Sequence, residues 1–193
     1  MQVVYERFAA GEEIPVAKHL KNRKLSKYFN RETAAFIIAC DKLLQSPVSI
    51  ASDTPFYYSM GTVEFEDYGL PAITEASRDS HGHFSATAFA TQGMVSVSPL
   101  TQFKILYNMP LCFASIEHGL NGDNAVLYSS VQALLQQALC APGDGPVLLG
   151  AGKVHTGGLV ECGVALVSRS EVENSPYRQA SEEAIHWFRE LAL

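Results

Sequence analysis

The stretch from Glu117 to Ala141, EHGLNGDNAVLYSSVQALLQQALCA, is the first place to look for chemistry. It reads as a turn punctuated by Gly119 and Gly122, a short interior strand over Ala125 to Tyr128, a tight corner, and a helix over Val131 to Leu139 packed on a sheet. A strand that turns sharply into a helix is where α/β enzymes often place a nucleophile. The corner aims a side chain out of the sheet, and the helix N-terminus stabilises an anion there. The corner here holds Ser129, Ser130, Val131 and Gln132, with no cysteine and no G-x-S-x-G elbow. A stand-alone acyltransferase or hydrolase using Ser129 or Ser130 needs an adjacent base held by a third group. His118 and His155 are the nearby candidates, and neither has the usual motif around it. Cys140 lies late in the helix, a poor place for a nucleophile.

Histidines, glycines and cysteines elsewhere in the chain also bear on chemistry. His81-Gly82-His83 places two histidines at i and i+2, which in a strand can share a metal. No third ligand follows at a clear spacing, so an exposed loop is expected. Val147 to Leu149 runs into Gly150-Ala151-Gly152. A glycine cluster after a strand can cradle phosphate at a following helix N-terminus, but no helix follows here, and close backbone approach is the expected use. Cys40, Cys112, Cys140 and Cys162 are far apart in apolar contexts with no C-x-x-C spacing. They read as buried free thiols in a reducing compartment rather than a zinc site.

The elements that must position these residues belong to a chain of 193 residues, 47% hydrophobic and 18% charged. That suits one globular domain over residues 1–193. A net charge of −6 argues against a nucleic-acid partner. One local exception holds Lys18, Lys21, Arg23, Lys24, Lys27 and Arg31. This run suits a solvated face or a dock for an acidic partner. No signal peptide opens the sequence and no apolar run reaches the ~18 residues that span a bilayer, so a cytoplasmic chain with no membrane partner is expected.

In chain order, Gln2 to Phe8 suits a strand. Asn30 caps a helix over Arg31 to Leu44 that is apolar nearly all round. Val48 to Ala51 is the next strand candidate. Asp53-Thr54-Pro55 is a turn, and the pattern from Ser52 to Ser98 is poor, as in an interface or a lid. Ser98-Pro99 opens a helix, and a second runs from Leu111 to His118 after Pro110. Val160 to Val167 is a near-continuous apolar strand, and Ser175-Pro176 opens a last helix with a stripe of Tyr177, Ala180, Ala184, Trp187 and Leu191. Alternating strands and helices predict an α/β fold with a mainly parallel sheet, its last strand antiparallel because its connection is too short for a crossover.

The sequence resembles the β-ketoacyl synthase branch of the thiolase fold. Lys24 to Leu44 resembles the family's lead-in and first buried helix, and Val48 to Ala51 its next strand. Ser98 to Asn121, SPLTQFKILYNMPLCFASIEHGLN, resembles its proline, helix, asparagine-methionine pair and second helix ending in a glycine turn. Gly119 to Asn124 resembles the turn before the nucleophile strand, Val147 to Gly152 the strand after the nucleophile helix, and Gly163 to Val167 the closing antiparallel strand. The resemblance implies a thiolase-like half: a mostly parallel five-stranded sheet with the last strand antiparallel and buried helices on both faces.

Two departures shape the function that the resemblance implies. The family's catalytic cysteine falls at Val131 or Gln132, which cannot act as nucleophiles, and the second half of the fold, which carries two histidines, has no counterpart here. The chain is therefore similar to a chain length factor, in the short form that accompanies aryl polyene pathways. Such a subunit pairs with an active ketosynthase in type II polyketide or fatty acid-like chain elongation and shapes the acyl tunnel. The resemblance assigns no catalytic residue, metal or cofactor to this chain. The acyl chain reaches the partner on a phosphopantetheinyl acyl carrier protein, for which the basic run is a docking candidate. Phe103, Leu106, Met109 and Phe113 become tunnel candidates, and Asn124, Ala125, Val126, Leu127 and Tyr128 the edge strand that pairs with the partner. A homodimeric scaffolding module is the other non-catalytic reading.

Overall fold

The structure, a computed structural model, describes residues 1–47, 49–61 and 69–192. The chain divides into two compact units, Met1–Thr62 with Tyr107–Leu193, and Val63–Leu106.

The larger unit is α/β. Its sheet has five strands, β1 (Gln2–Phe8), β2 (Phe56–Met60), β3 (Asn124–Leu127), β4 (Val147–Val154) and β5 (Val160–Val167), in the order β1-β5-β4-β2-β3. β2 is parallel to both β3 and β4, while β5 is antiparallel to β4 and to β1. Four strands thus run one way and β5 runs against them. The short connection behind the antiparallel expectation is a tight turn in which the His155 amide donates to the Leu159 carbonyl at 2.7 Å. Gly157 and Gly158 take positive φ there, which glycine adopts without a Cβ penalty.

Helices cover both faces. α1 (Arg31–Leu44) lies on one face, against β1, β4 and β5. Asn30 caps it, accepting the Thr33 amide at 2.7 Å, and Ala35, Phe36, Ile37 and Ala39 are wholly buried. α5 (Met109–His118) packs beside it. The opposite face carries α6 (Val131–Cys140) and α8 (Ala184–Leu191), whose Val131, Leu134, Leu135, Trp187 and Phe188 share one core with β2, β4 and β5. Between them α7 (Arg169–Glu173) opens on a capping box at Ser168 and Glu171. Its Arg169 guanidinium donates to the carbonyls of Leu139, Ala141 and Gly143, satisfying the open end of α6.

The second strand is not at Val48 to Ala51. Val48 lies outside the described residues, residues 49–51 form no strand, and β2 begins after the Asp53-Thr54-Pro55 turn. The reason is burial. β2 sits inside the sheet, and all five residues of FYYSM are buried, whereas Ser49 and Ala51 are exposed. β4 likewise outruns Leu149 and takes Gly150-Ala151-Gly152 into the strand. The glycines serve close packing. A Cβ on Gly150 would stand 2.6 Å from Phe36 Cζ, and one on Gly152 would stand 2.6 Å from Glu32 Oε1.

The last helix is also shorter than expected. Pro176–Gln179 is a 3-10 turn and α8 starts only at Ala184, because residues 180–183 are drawn out to meet α6. α5 starts at Met109, two residues before Leu111. Pro110 sits in the first turn, where its missing N–H removes no helical bond.

In the smaller unit the poorly patterned stretch contains short helices, α2 (Leu70–Ala76) and α3 (Ala86–Ala88) running into a π-helical turn (Phe89–Gly93), and the helix expected from Ser98-Pro99 is a 3-10 turn at Pro99–Thr101 followed by the short α4 (Gln102–Ile105). An antiparallel bridge joins Arg78 to Phe84. Among the described residues no helix is long and apolar enough to cross a membrane.

Candidate functional site

The corner between β3 and α6 is closed by the chain's own groups. β3 is held by its register on β2, which aligns Tyr57 with Ala125 and Ser59 with Leu127. Beyond it, Ser129 Oγ donates to Ser59 Oγ at 3.0 Å, and Ser59 Oγ donates to the Ser129 carbonyl at 3.1 Å. Ser130 is the N-cap of α6, its Oγ accepting the Ala133 amide at 3.3 Å. Neither serine is hydrogen-bonded to an imidazole among the described residues. Val131 is 1% exposed and packs in the core, while Gln132 points to solvent.

The amides of the corner are occupied as well. The Val131 N–H donates to the Glu182 carbonyl at 2.9 Å, and the Gln132 N–H donates to the Ala180 carbonyl at 3.0 Å. The Leu134 N–H makes the first helical bond, to the Ser130 carbonyl. The three amides of the first turn, those of Val131, Gln132 and Ala133, are therefore satisfied within the chain. A nucleophile corner needs those donors free to stabilise a thiolate or oxyanion. This one presents neither a nucleophile nor an open amide.

β3 itself forms one edge of the sheet. Asn124 is exposed, Ala125 to Leu127 are half-buried, and Tyr128, just past the strand, is 70% exposed. A groove of about 510 Å³ runs beside it, lined by Leu111, Cys112, Ser115 and Ile116 of α5 and by Asn124 to Val126 of β3. No other described strand covers this edge, and such an edge with a groove alongside can accept another strand.

The four tunnel candidates divide between the units. Phe103 and Leu106 belong to the smaller one and are partly exposed. Met109 and Phe113 belong to the larger one and are buried, Phe113 with its ring 4.8 Å from Phe29 and 6.4 Å from Tyr28. His81 and His83 lie in an exposed turn whose amides donate to Asp79 Oδ1. Among the described residues no group of three His, Cys, Asp or Glu side chains is arranged to hold a metal ion. Cys40 and Cys162 are buried, but Cys140 is exposed, because it falls on the outer side of α6.

Two acidic centres escaped the sequence reading. Glu161 stands in the apolar strand β5 with its side chain 3% exposed. It accepts Arg189 Nε at 2.9 Å and Nη2 at 2.7 Å, and also bonds Tyr5 Oη and His155 Nε2. Burial pushes its carboxyl up, but the bonds from Arg189, Tyr5 and His155 outweigh that and hold it down at about 2. Burial and the Glu161 carboxylate push the Tyr5 phenol up to about 12. Glu32, buried in the first turn of α1, accepts Tyr58 Oη at 2.5 Å. Burial pushes its carboxyl up to about 7, and the Tyr58 bond offsets only part of that. The signal for Glu161 was in the sequence, since a lone glutamate in an apolar run must find a partner if the run is buried, whereas Glu32, between Arg31 and Thr33, reads only as an acid in the first turn of a helix.

Neither histidine considered as a base serves the serines. His155 is tied to Glu161, and His118 lies on α5, where burial lowers its pKa against the smaller upward pull of Asp41 and Glu117. Compared with known proteins, the chain matches no family model and no curated protein sequence.

Proposed function

We propose that this chain is a non-catalytic, chain-length-factor-like subunit with a thiolase-like half fold, which pairs with an active β-ketoacyl synthase in the cytoplasm. The partner contributes the cysteine and the histidines and receives the acyl chain from its carrier protein. This chain contributes tunnel wall and stability, as in type II polyketide, aryl polyene-like or fatty acid-like elongation. The observation that carries the reading is the closed corner, where Val131 is buried at the nucleophile position and the Val131 and Gln132 amides are bonded to carbonyls of residues 182 and 180. The same observation counts against a hydrolase using Ser129 or Ser130, whose hydroxyls serve Ser59 and the cap of α6.

The open edge Asn124–Leu127 supports pairing through β3 and suits a different chain or a second copy. Co-expression with a cognate ketosynthase followed by size-exclusion chromatography separates the outcomes. A one-to-one complex is expected. A homodimer that excludes the ketosynthase favours the scaffolding module, and a stable monomer that ignores the partner refutes the proposal.

A further inference from the structure

Six of the chain's 14 lysines and arginines lie between Lys18 and Arg31, and that interval contains no acid. The structure sorts them. Arg31 is a staple, donating to the carbonyls of Gly158, Glu12 and Ala9. Lys21 Nζ donates to the Glu117 carbonyl at 3.0 Å, and Lys27 Nζ lies 4.8 Å from the centre of the Tyr28 ring. Lys18, Arg23 and Lys24 are exposed and have no ion-pair or hydrogen-bond partner for their charged groups among the described residues.

These charges stand on a fixed platform. Two 3-10 turns, Val16–His19 and Arg23–Tyr28, carry them. Val16, Leu20 and Phe29 are buried and fasten the turns to the core. His19 Nδ1 bonds Asp41 Oδ2 of α1 at 2.8 Å, and Asn22 Oδ1 accepts the Lys24 amide at 3.2 Å. The chain has a net charge of −6, yet none of its described acids pairs with any of the three.

We infer that the Lys18–Tyr28 platform is a docking surface for an acidic face of another protein. This holds whether or not the chain is a ketosynthase subunit. Charge complementarity identifies the occupant, and the surroundings narrow its class. The platform has no exposed large apolar side chain to insert into a bilayer, since Val16, Leu20 and Phe29 are buried and Leu25 is half-buried. Its one other aromatic, Tyr28, is half-buried and stacked against Phe113, so it offers no free ring to a nucleic-acid base. The overall negative charge repels extended polyanions, while the local positive field reaches only about 10 Å at 0.1 M salt. A compact cluster of carboxylates fits that range. Anchored turns also lose little freedom on binding.

The test uses the full chain and a fluorescent tetraglutamate peptide, short enough to match the reach of the platform's field, read by anisotropy at low ionic strength. K18Q/R23Q/K24Q is compared with R7Q/R78Q/R178Q, which carries the same net charge, after circular dichroism has shown both folded. The platform variant should bind about tenfold more weakly than wild type, and the control within about twofold. Equal weakening in both variants reduces the effect to net charge and overturns the inference. So does a wild type that ignores the peptide, or one that prefers phosphatidylserine vesicles or duplex DNA.

Discussion

The Val131 amide and the Glu182 carbonyl meet at 2.9 Å, so the first turn of α6 is capped by a strand-like segment arriving from the other end of the chain. The cap places a negative dipole where an anion would otherwise sit. It removes the electrostatic basis for nucleophile activation at this corner, whatever side chain stands there.

A cysteine placed at this corner should therefore not become a reactive thiol. V131C, made in a C112S/C140S background that removes the two accessible native thiols, should react with iodoacetamide more slowly than a free cysteine at pH 7. Its thiol is buried and faces occupied amides, and burial without a cation raises a thiol's pKa. The measurement is the labelling rate against free cysteine. A faster rate would mean that the amides are available.

Glu161→Gln should destabilise the fold by about 3 kcal/mol, a value reduced by the partial exposure of Arg189 and His155. The folded carboxyl titrates near 2, below the ordinary 4.5. Its stabilisation is thus present above about pH 4.5 and is lost as the pH falls towards 2. Urea denaturation across that window should show wild type losing its advantage over E161Q.

Glu32 acts in the opposite sense. Its folded carboxyl titrates near 7, so the native state holds a proton that the unfolded chain releases near 4.5. Stability from this group falls as the pH rises from 4.5 to 7, by on the order of 3 kcal/mol. Glu32→Gln keeps an acceptor for Tyr58 and removes the charge. Scanning calorimetry should find its Tm flatter than that of wild type over this interval, with the gain greatest at pH 8.

Gly152→Ala should cost about 2 kcal/mol or more, because its methyl group would press on the Glu32 carboxyl and the Tyr58 hydroxyl. Both are buried and mutually bonded, so neither can swing aside. Thermal melts provide the comparison. Gly145→Ala, whose methyl group would meet nothing within 4 Å, is the control.

Ile116→Glu tests the edge without touching the core. Ile116 is 62% exposed and lines the groove beside β3. The variant should keep its Tm within about 2 °C and weaken pairing with the proposed ketosynthase partner about tenfold, read by analytical ultracentrifugation. Unchanged pairing would move the interface elsewhere.

Local signals determined much of this protein from sequence. The all-apolar run after Asn30 specified a buried helix, GLNGDNAVLYSS a strand and corner, and the short link between β4 and β5 an antiparallel pair, because each depends on neighbours a few residues apart. The absence of a cysteine and of a G-x-S-x-G elbow at the corner was legible there too. Other features depended on distant segments. β2 fell at Phe56–Met60 because the sheet's interior selects residues buried on both faces, which periodicity alone does not reveal. The glycines of β4 became packing devices only when Phe36, Tyr58 and Glu32 stood over them. The cap on α6 joins residues 131 and 132 to residues 182 and 180, and Glu161 meets Arg189 across 28 residues. Burial and long-range hydrogen bonding belong to the assembled chain, so the closing of the corner was decided only by the tertiary structure.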